Sequence, residues 1–126
     1  MTKQSEIYFC ELCNSLIEVL GNSSGILVCC GRPMTLQEEN TVDASQEKHI
    51  PVLTIEGNQV VVQVGSVLHP MAEDHYITWI EVSEGNCVKR RFLKPGDEPQ
   101  ASFFTHGGPL TVRAYCNLHG LWKATK

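Results

Sequence analysis

The sequence predicts a mainly β protein in which a small cysteine-rich unit precedes an antiparallel β-sandwich. Short runs of β-branched and aromatic residues recur along the 126-residue chain, and Gly, Pro and Asn turns separate them. No amphipathic stretch of helical length is present. Four of the six cysteines lie at or before position 30. A unit this short cannot bury a sufficient core by itself, so we expect a metal ion to hold it together.

Composition divides the chain into three predicted parts. Residues 1–36 contain the four cysteines and short apolar runs, and residues 37–46 are polar and unpatterned, as in a linker. Residues 47–126 form the predicted sandwich. Its strands are expected at residues 50–55, 59–64, 76–82, 88–93, 101–104 and 110–115.

Charge and cysteine usage narrow the functional classes. A net charge of −4 argues against nucleic acid as a partner, because phosphate binding requires a basic face. The sequence shows neither the apolar core of an export signal nor a membrane-spanning run. We therefore expect a cytoplasmic protein with no membrane partner, in which reduced cysteines bind metal rather than form disulfides.

The front cysteines predict a mononuclear four-thiolate site. A C-x2-C pair can aim two sulfur atoms at one ion, as in zinc and iron–sulfur knuckles. The second pair is adjacent, so both of its side chains reach one ion only if the backbone bends sharply there. Spacing leaves the choice between zinc and iron open. The four residues are Cys10, Cys13, Cys29 and Cys30.

A second donor set is spread over the rest of the chain. A single histidine is more often a surface or core residue than a ligand, but several of these lie at strand edges, beside a proline or in tight turns. Four imidazoles and one thiolate suit iron, copper or zinc, and they exceed the four ligands of a structural zinc site. His106, beside two glycines, is interpreted as a loop histidine. The predicted donors are His49, His69, His75, Cys116 and His119.

Three segments make a resemblance to a known family specific. They are Glu47-Lys48-His49, Gly65-Ser66-Val67-Leu68-His69-Pro70-Met71 and Cys116-Asn117-Leu118-His119-Gly120. These segments resemble the motifs of the superoxide reductases. Together with the four front cysteines, the chain resembles the two-iron class of that family, the desulfoferrodoxins, over nearly its whole length. Leu68 and Leu121 depart from the expected pattern, and this puts only local packing and solvent access in doubt.

The resemblance implies a fold, two cofactors and an activity. The fold would be a desulforedoxin-like front domain followed by an immunoglobulin-like β-sandwich. The front cysteines would hold an accessory iron, and the catalytic iron would have four equatorial histidines and an axial Cys116. The activity would be one-electron reduction of superoxide to hydrogen peroxide, supplied with electrons by a rubredoxin-like donor. We also expect a homodimer, because the small front unit gains its missing core by packing across a two-fold axis.

Two residues beside His49 are expected to act on the substrate. Lys48 adds a positive charge that attracts superoxide to a protein of net negative charge, and it organises protons through water. The resemblance implies that the Glu47 carboxylate closes the vacant position on ferric iron. The alternative interpretation of both residues is a solvated loop pair.

Two other functions remain open at this point. One is a non-catalytic zinc protein that binds a partner, and the other is an electron carrier whose histidine site is closed. Cys87 is expected to be a free thiol. The basic run Lys89-Arg90-Arg91 is interpreted as a solvated face, with docking of an acidic electron donor as the alternative.

Overall fold

The structure is a computed structural model that describes residues 1–42 and 48–126. These residues form two compact units, Met1–Glu38 and Glu39–Lys126. All regular elements in the described part are strands, which confirms the predicted mainly β class. Within the same residues there is no helix whose length and apolar character would let it span a membrane.

The front unit contains five very short strands. β1 is the centre of a three-stranded antiparallel sheet with the order β2-β1-β5, and β3 and β4 form a separate hairpin. The buried apolar residues of this unit are Ile7, Tyr8 and Cys10, so its core is very small. The strands are β1 (Ile7–Phe9), β2 (Leu16–Glu18), β3 (Val28–Cys29), β4 (Arg32–Pro33) and β5 (Thr35–Leu36).

The β3–β4 turn is the sharp bend that two adjacent cysteines require. Cys29 pairs with Arg32, so Cys30 and Gly31 form a two-residue turn. Both have positive φ, 53° and 77°, which is the conformation that right-twisted hairpins prefer in such turns. The turn changes the direction of the chain between the two sulfur-bearing side chains.

The rear unit is a sandwich of two sheets. The larger sheet has the order β10-β9-β12-β13-β6, and the smaller one has the order β11-β8-β7. All pairings are antiparallel except the short parallel contact between β13 and β6. The strands are β6 (Glu39–Asn40), β7 (Pro51–Glu56), β8 (Gln59–Val64), β9 (Ile77–Glu84), β10 (Cys87–Phe92), β11 (Gln100–Phe104), β12 (Thr111–Cys116) and β13 (Gly120–Thr125).

The sandwich core follows from strand alternation. Successive side chains on a strand point to opposite faces, and β8 buries every second residue. The opposing sheet contributes buried residues from β9 and β12, one of which is a cysteine. The main core residues from these three strands are Val60, Val62, Val64, Ile77, Ile80, Val82, Val112, Ala114 and Cys116.

A β-bulge in β9, beside Cys116, changes which side chains of this strand face the core. Tyr115 pairs with Trp79, but Cys116 pairs with Ile77, so Thr78 is the extra residue. The bulge lets both Ile77 and Ile80 face the core although they are three residues apart. It explains the apolar character that the sequence shows on both faces of this strand.

A buried ion pair joins the same two strands on the other face of the sheet. The Glu81 carboxylate accepts hydrogen bonds from Nε of Arg113 at 2.7 Å and from Nη2 at 3.1 Å, and it also contacts Arg90. Glu81 and Arg113 are 2% and 4% exposed. Removing either partner alone would leave an uncompensated charge at a buried position and should destabilise the rear unit.

Two rear strands were not predicted from the sequence. β13 follows the Cys116–His119 turn and pairs with β12 along six residues, but its composition shows no clear alternation. β6 lies within the predicted linker, and it forms because Asn40 and its neighbour pair with β13; the Asn40 side chain donates to Leu121 O at 3.0 Å. Positions 43–46 of the predicted linker lie outside the described residues.

Candidate metal centres

The front unit brings its four cysteine sulfur atoms together. All four lie within 4.8 Å of one another. Cys13 Sγ is 3.5 Å from Cys29 Sγ, and Cys29 Sγ is 3.9 Å from Cys30 Sγ. Sulfur atoms bound tetrahedrally at ~2.3 Å from one ion are about 3.8 Å apart. The cluster therefore has the dimensions of a single four-thiolate site, with Cys10 as its buried member.

Hydrogen bonds within the cluster separate the acidities of its thiols. The bond to the Ser15 side chain lowers the pKa of Cys13 to about 6. The hydrogen bond between Cys29 and Cys13 raises the pKa of Cys29 to about 12. A hydrogen bond between Cys30 and Cys13 likewise raises the pKa of Cys30. Cys13 therefore ionises more readily than Cys29 and Cys30, and binding of a cation to the cluster would release the protons of those two thiols.

The rear unit brings four histidines and one cysteine together. One ligand atom from each of the five lies within 4.8 Å of the others. The four rings form a closed cycle in which each ring contacts two neighbours edge-on. Successive centroids along the cycle His49, His69, His75, His119 are 4.6, 4.8, 5.1 and 5.0 Å apart, and the interplanar angles are 61°, 83°, 78° and 79°.

Cys116 completes this group on its buried side. Cys116, His49 and His69 are buried, whereas His75 is half-buried and His119 is exposed. Cys116 Sγ lies 3.8 Å from Nδ1 of His119. Burial raises the pKa of the neighbouring Tyr115 hydroxyl, and the Cys116 charge raises it further. The rear cluster therefore has one side in the core and one side that reaches solvent.

The turn between β12 and β13 fixes two of the donors. Cys116 pairs with Gly120, so residues 117–119 form a three-residue turn closed by a glycine at φ 83°. Asn117 connects this turn to the segment that carries His75. Its backbone N donates to Tyr76 O at 3.2 Å, its Oδ1 accepts from Tyr76 N at 2.9 Å, and its Nδ2 donates to Asp74 O at 3.0 Å. Residues on both sides of His75 are thereby held against the turn.

The turn after β8 fixes His69 against the segment that carries His49. His69 N donates to Val64 O at 3.3 Å, and His69 Nδ1 lies 2.7 Å from Pro70 O. Gly65, at φ 85°, makes this turn possible because a Cβ there would lie 2.4 Å from Lys48 O and 2.5 Å from Val67 O. Only a residue without a side chain permits the Lys48 carbonyl to approach this closely.

The rear donor set fits one metal ion. Nε2 of His49 is 3.2 Å from Nδ1 of His119, close to the ~3.0 Å that separates two nitrogen ligands at right angles on an ion ~2.1 Å away. Nε2 of His69 and Nε2 of His75 are both buried, and both rings contact neighbouring histidines. Since Nδ1 of His69 faces a carbonyl oxygen, Nε2 is the nitrogen that remains to bind a metal ion.

The structure assembles both sets of residues that the sequence predicted as metal donors. It places His106 elsewhere, with its ring against Phe104. All six cysteines lie in the described part of the chain and no two of them form a disulfide; Cys87 is exposed and belongs to neither donor set. Lys48 is half-buried directly before His49, and Glu47 lies outside the described residues.

Sequence reasoning did not identify Gly65 and Asn117 as parts of the site. Each lies inside a segment that carries predicted metal donors, and each contacts the backbone of a distant segment. A glycine directly after a strand and an asparagine within a three-residue turn were the only available signals. Neither signal indicates which distant segment the residue contacts.

Comparison with known proteins covers both units. The family model for desulfoferrodoxin matches residues 41–125, and the model for the desulfoferrodoxin N-terminal domain matches residues 2–37. The chain belongs to the desulfoferrodoxin family. As in that family, it holds two mononuclear iron ions, one at the four-cysteine cluster and one at the cluster of four histidines and a cysteine.

Relatives match this chain over almost its whole length. The desulfoferrodoxin homolog of Archaeoglobus fulgidus is 52% identical over 98% of this chain and 99% of its own length. The desulfoferrodoxin of Nitratidesulfovibrio vulgaris is 49% identical over 98% of each chain. The crystal structure of the superoxide reductase from Treponema pallidum superposes with a TM-score of 0.80 at 26% identity, covering 98% of this chain and 99% of that one.

Replacing Gly65 with alanine should disturb the rear iron and spare the front one. The positive φ alone costs about 1 kcal/mol for a residue with a side chain, and the added Cβ also pushes the Lys48 carbonyl away from the turn. We expect a lower unfolding temperature and less rear iron per chain, measured by calorimetry and metal analysis. The matched control is Gly107→Ala, since Gly107 has φ 89° but open space around a Cβ. Equal iron loss in both variants would show that backbone strain alone is responsible.

Proposed function

We propose that the protein is a superoxide reductase, an oxidoreductase that reduces superoxide to hydrogen peroxide without releasing oxygen. The observation that carries this proposal is the closed cycle of four histidines, which gathers with the buried Cys116 and includes the solvent-exposed His119. Membership of the desulfoferrodoxin family and similarity to the T. pallidum superoxide reductase support it. The physiological role would be detoxification under oxidative stress.

The proposed ligand set follows from the grouping of the five donors. Four histidine nitrogens and the Cys116 sulfur would hold the iron, and five ligands would leave one position for a small anion. The iron would supply an electron and this open position, and the thiolate would increase the electron density on the iron. The histidine ligands would be His49, His69, His75 and His119.

The front iron would take no direct part in the reaction. Four thiolates complete a tetrahedral site, so substrate has no position to occupy there. We propose a front domain of residues 1–36 that holds this iron, a linker of residues 37–46, and a superoxide reductase domain of residues 47–126. The accessory iron would then serve as an electron relay or as a structural support.

Lys48 would attract the substrate and help to deliver protons. Superoxide is an anion and the protein has a net charge of −4, so a positive charge beside the open position is needed to guide it. Ferrous iron with one thiolate has a charge of +1, and Lys48 adds a second positive charge. Lys48 directly precedes the buried His49, and its carbonyl is held against Gly65. Its ammonium group would organise the two protons of peroxide, through water.

Glu47 would act after turnover. A carboxylate is a hard ligand that suits ferric iron better than ferrous iron. We propose that Glu47 would supply a carboxylate ligand for the vacant position when the iron is ferric. The support is its position in the sequence, two residues before His49, together with the family resemblance.

The proposed partners are an electron donor and a second copy of the chain. A small rubredoxin-like protein in the cytoplasm would restore the ferrous state by electron transport. The front unit exposes several large apolar side chains, which favours packing of two front units in a homodimer. Those most exposed are Leu20 at 81%, Met1 at 79%, Ile26 at 73% and Val28 at 62%.

Superoxide dismutation releases oxygen, whereas superoxide reduction does not. A pulse of superoxide mixed with the reduced protein should give one peroxide for each superoxide consumed, with no oxygen released. Peroxide and dissolved oxygen are measured in the same mixture. Oxygen release would indicate a dismutase, and zinc alone in protein from iron-replete cells would rule out the iron reaction.

Lys48→Ala should slow the encounter with superoxide by about tenfold, since local positive charge raises the rate of anion association by one to three orders of magnitude. The salt dependence of the second-order rate should also become flatter. Pulse radiolysis at several ionic strengths measures both effects. Lys89→Ala is the control, because it also removes one positive charge. The Lys89 ammonium group donates to Phe104 O and lies over the Phe104 ring. A similar fall in both variants would remove Lys48 from the mechanism.

Glu47→Ala should change the visible spectrum of the ferric protein and leave the encounter with superoxide nearly unchanged. The reason is that the carboxylate would bind only the oxidised iron. Spectra of the oxidised protein and the second-order rate of the reduced protein measure the two effects. Glu56→Ala, which removes an exposed carboxylate from β7, is the control. An unaltered ferric spectrum in Glu47→Ala would contradict the role.

A further inference from the structure

One buried side chain contacts two of the metal-binding histidines. Trp122 lies on β13 and is 6% exposed. Its indole is stacked on the His49 ring, with centroids 4.4 Å apart and planes inclined by 14°. Its Nε1 donates a hydrogen bond to His119 O at 3.2 Å. The two histidines lie near opposite ends of the rear unit's sequence, and Trp122 contacts both.

These contacts determine how the two rings meet. Stacking orients the plane of His49, and the indole hydrogen bond fixes the backbone from which the His119 ring projects. The two rings are inclined by 79°, and their facing nitrogens are 3.2 Å apart. His69 is oriented in a different way, through the carbonyl of Pro70 at 2.7 Å. Groups that orient ligands from outside the coordination shell change metal affinity when they are removed.

We propose that Trp122 is a positioning residue of the rear metal centre, which holds His49 and His119 at the mutual angle that one metal ion requires. The inference rests on the rear iron site of the proposed function, and it adds a residue that belongs to none of the ligand-bearing segments. Trp122 would touch neither substrate nor metal. Its effect would appear in the geometry of the site and in the retention of iron.

The test uses the full-length, iron-loaded protein and two substitutions. Trp122→Phe retains an aromatic face against His49 but loses the hydrogen bond to His119, whereas Trp122→Leu loses both contacts. We expect rear iron to be held about 10-fold more weakly in the first variant and about 100-fold more weakly in the second. Affinity is measured by competition with a ferrous chelator. Electron paramagnetic resonance of the ferric protein should show an altered rear signal in both variants.

Two controls separate positioning from general loss of core packing. Trp79→Leu removes an equally buried tryptophan, 5% exposed, whose ring contacts are with Tyr115 and Arg90. The four-cysteine iron of the same chain provides an internal reference. The expected result is weaker binding of the rear iron in the Trp122 variants alone, with an unchanged front-site spectrum throughout.

Several outcomes would overturn the inference. One is wild-type iron retention and an unaltered spectrum in Trp122→Leu. Another is an equal effect of Trp79→Leu, which would make Trp122 an ordinary core residue. If Trp122→Leu does not fold, Trp122→Phe decides the question by itself, and unchanged affinity there overturns the inference. A loaded protein that fails to reduce superoxide contradicts only the proposed function, because the chelator experiment does not depend on activity.

Discussion

The rear centre depends above all on the pairing of β12 with its neighbours. β9 and β13 hydrogen-bond to the two edges of β12, and this pairing places Cys116 in the core at the end of the strand. The buried pair of Glu81 and Arg113 reinforces the β9 side. The three-residue turn on the β13 side then brings His119 back over Cys116. Backbone hydrogen bonds therefore set the spacing of these two donors.

The other three histidines reach the cluster through contacts made to their flanking backbone. Asn117 holds the segment around His75, and the close approach at Gly65 brings the His69 turn against the Lys48–His49 segment. These contacts are short, local and specific, and each couples two distant parts of the chain. The front cluster is simpler, since two knuckles within about 20 residues supply all four sulfur atoms. Its four thiolates complete a tetrahedral site, whereas the rear cluster has a side that reaches solvent, so we assign the proposed reaction to the rear.

Much of the fold followed from local patterns, and the failures have a common cause. The recurring short runs of β-branched and aromatic residues and the Gly, Pro and Asn turns between them were sufficient to predict the antiparallel sandwich. β13 and β6 were missed because their pairing depends on a partner strand rather than on their own composition. The apolar residues on both faces of β9 have a similar cause, since the bulge at Thr78 shifts the alternation of its side chains. Such a bulge is a property of two strands together.

The sequence by itself determined which donors are present and how they are grouped locally. A C-x2-C pair, two adjacent cysteines and a cysteine three residues before a histidine have few chemical interpretations, and the order of the motifs indicated the family. Only the tertiary structure decided that four rings form one cycle, with Trp122 beside His49 and the Lys48 carbonyl against Gly65. His49 and His119 are 70 residues apart in the chain. Their mutual angle results from sheet pairing and side-chain packing across that separation, and no local pattern in either segment specifies it.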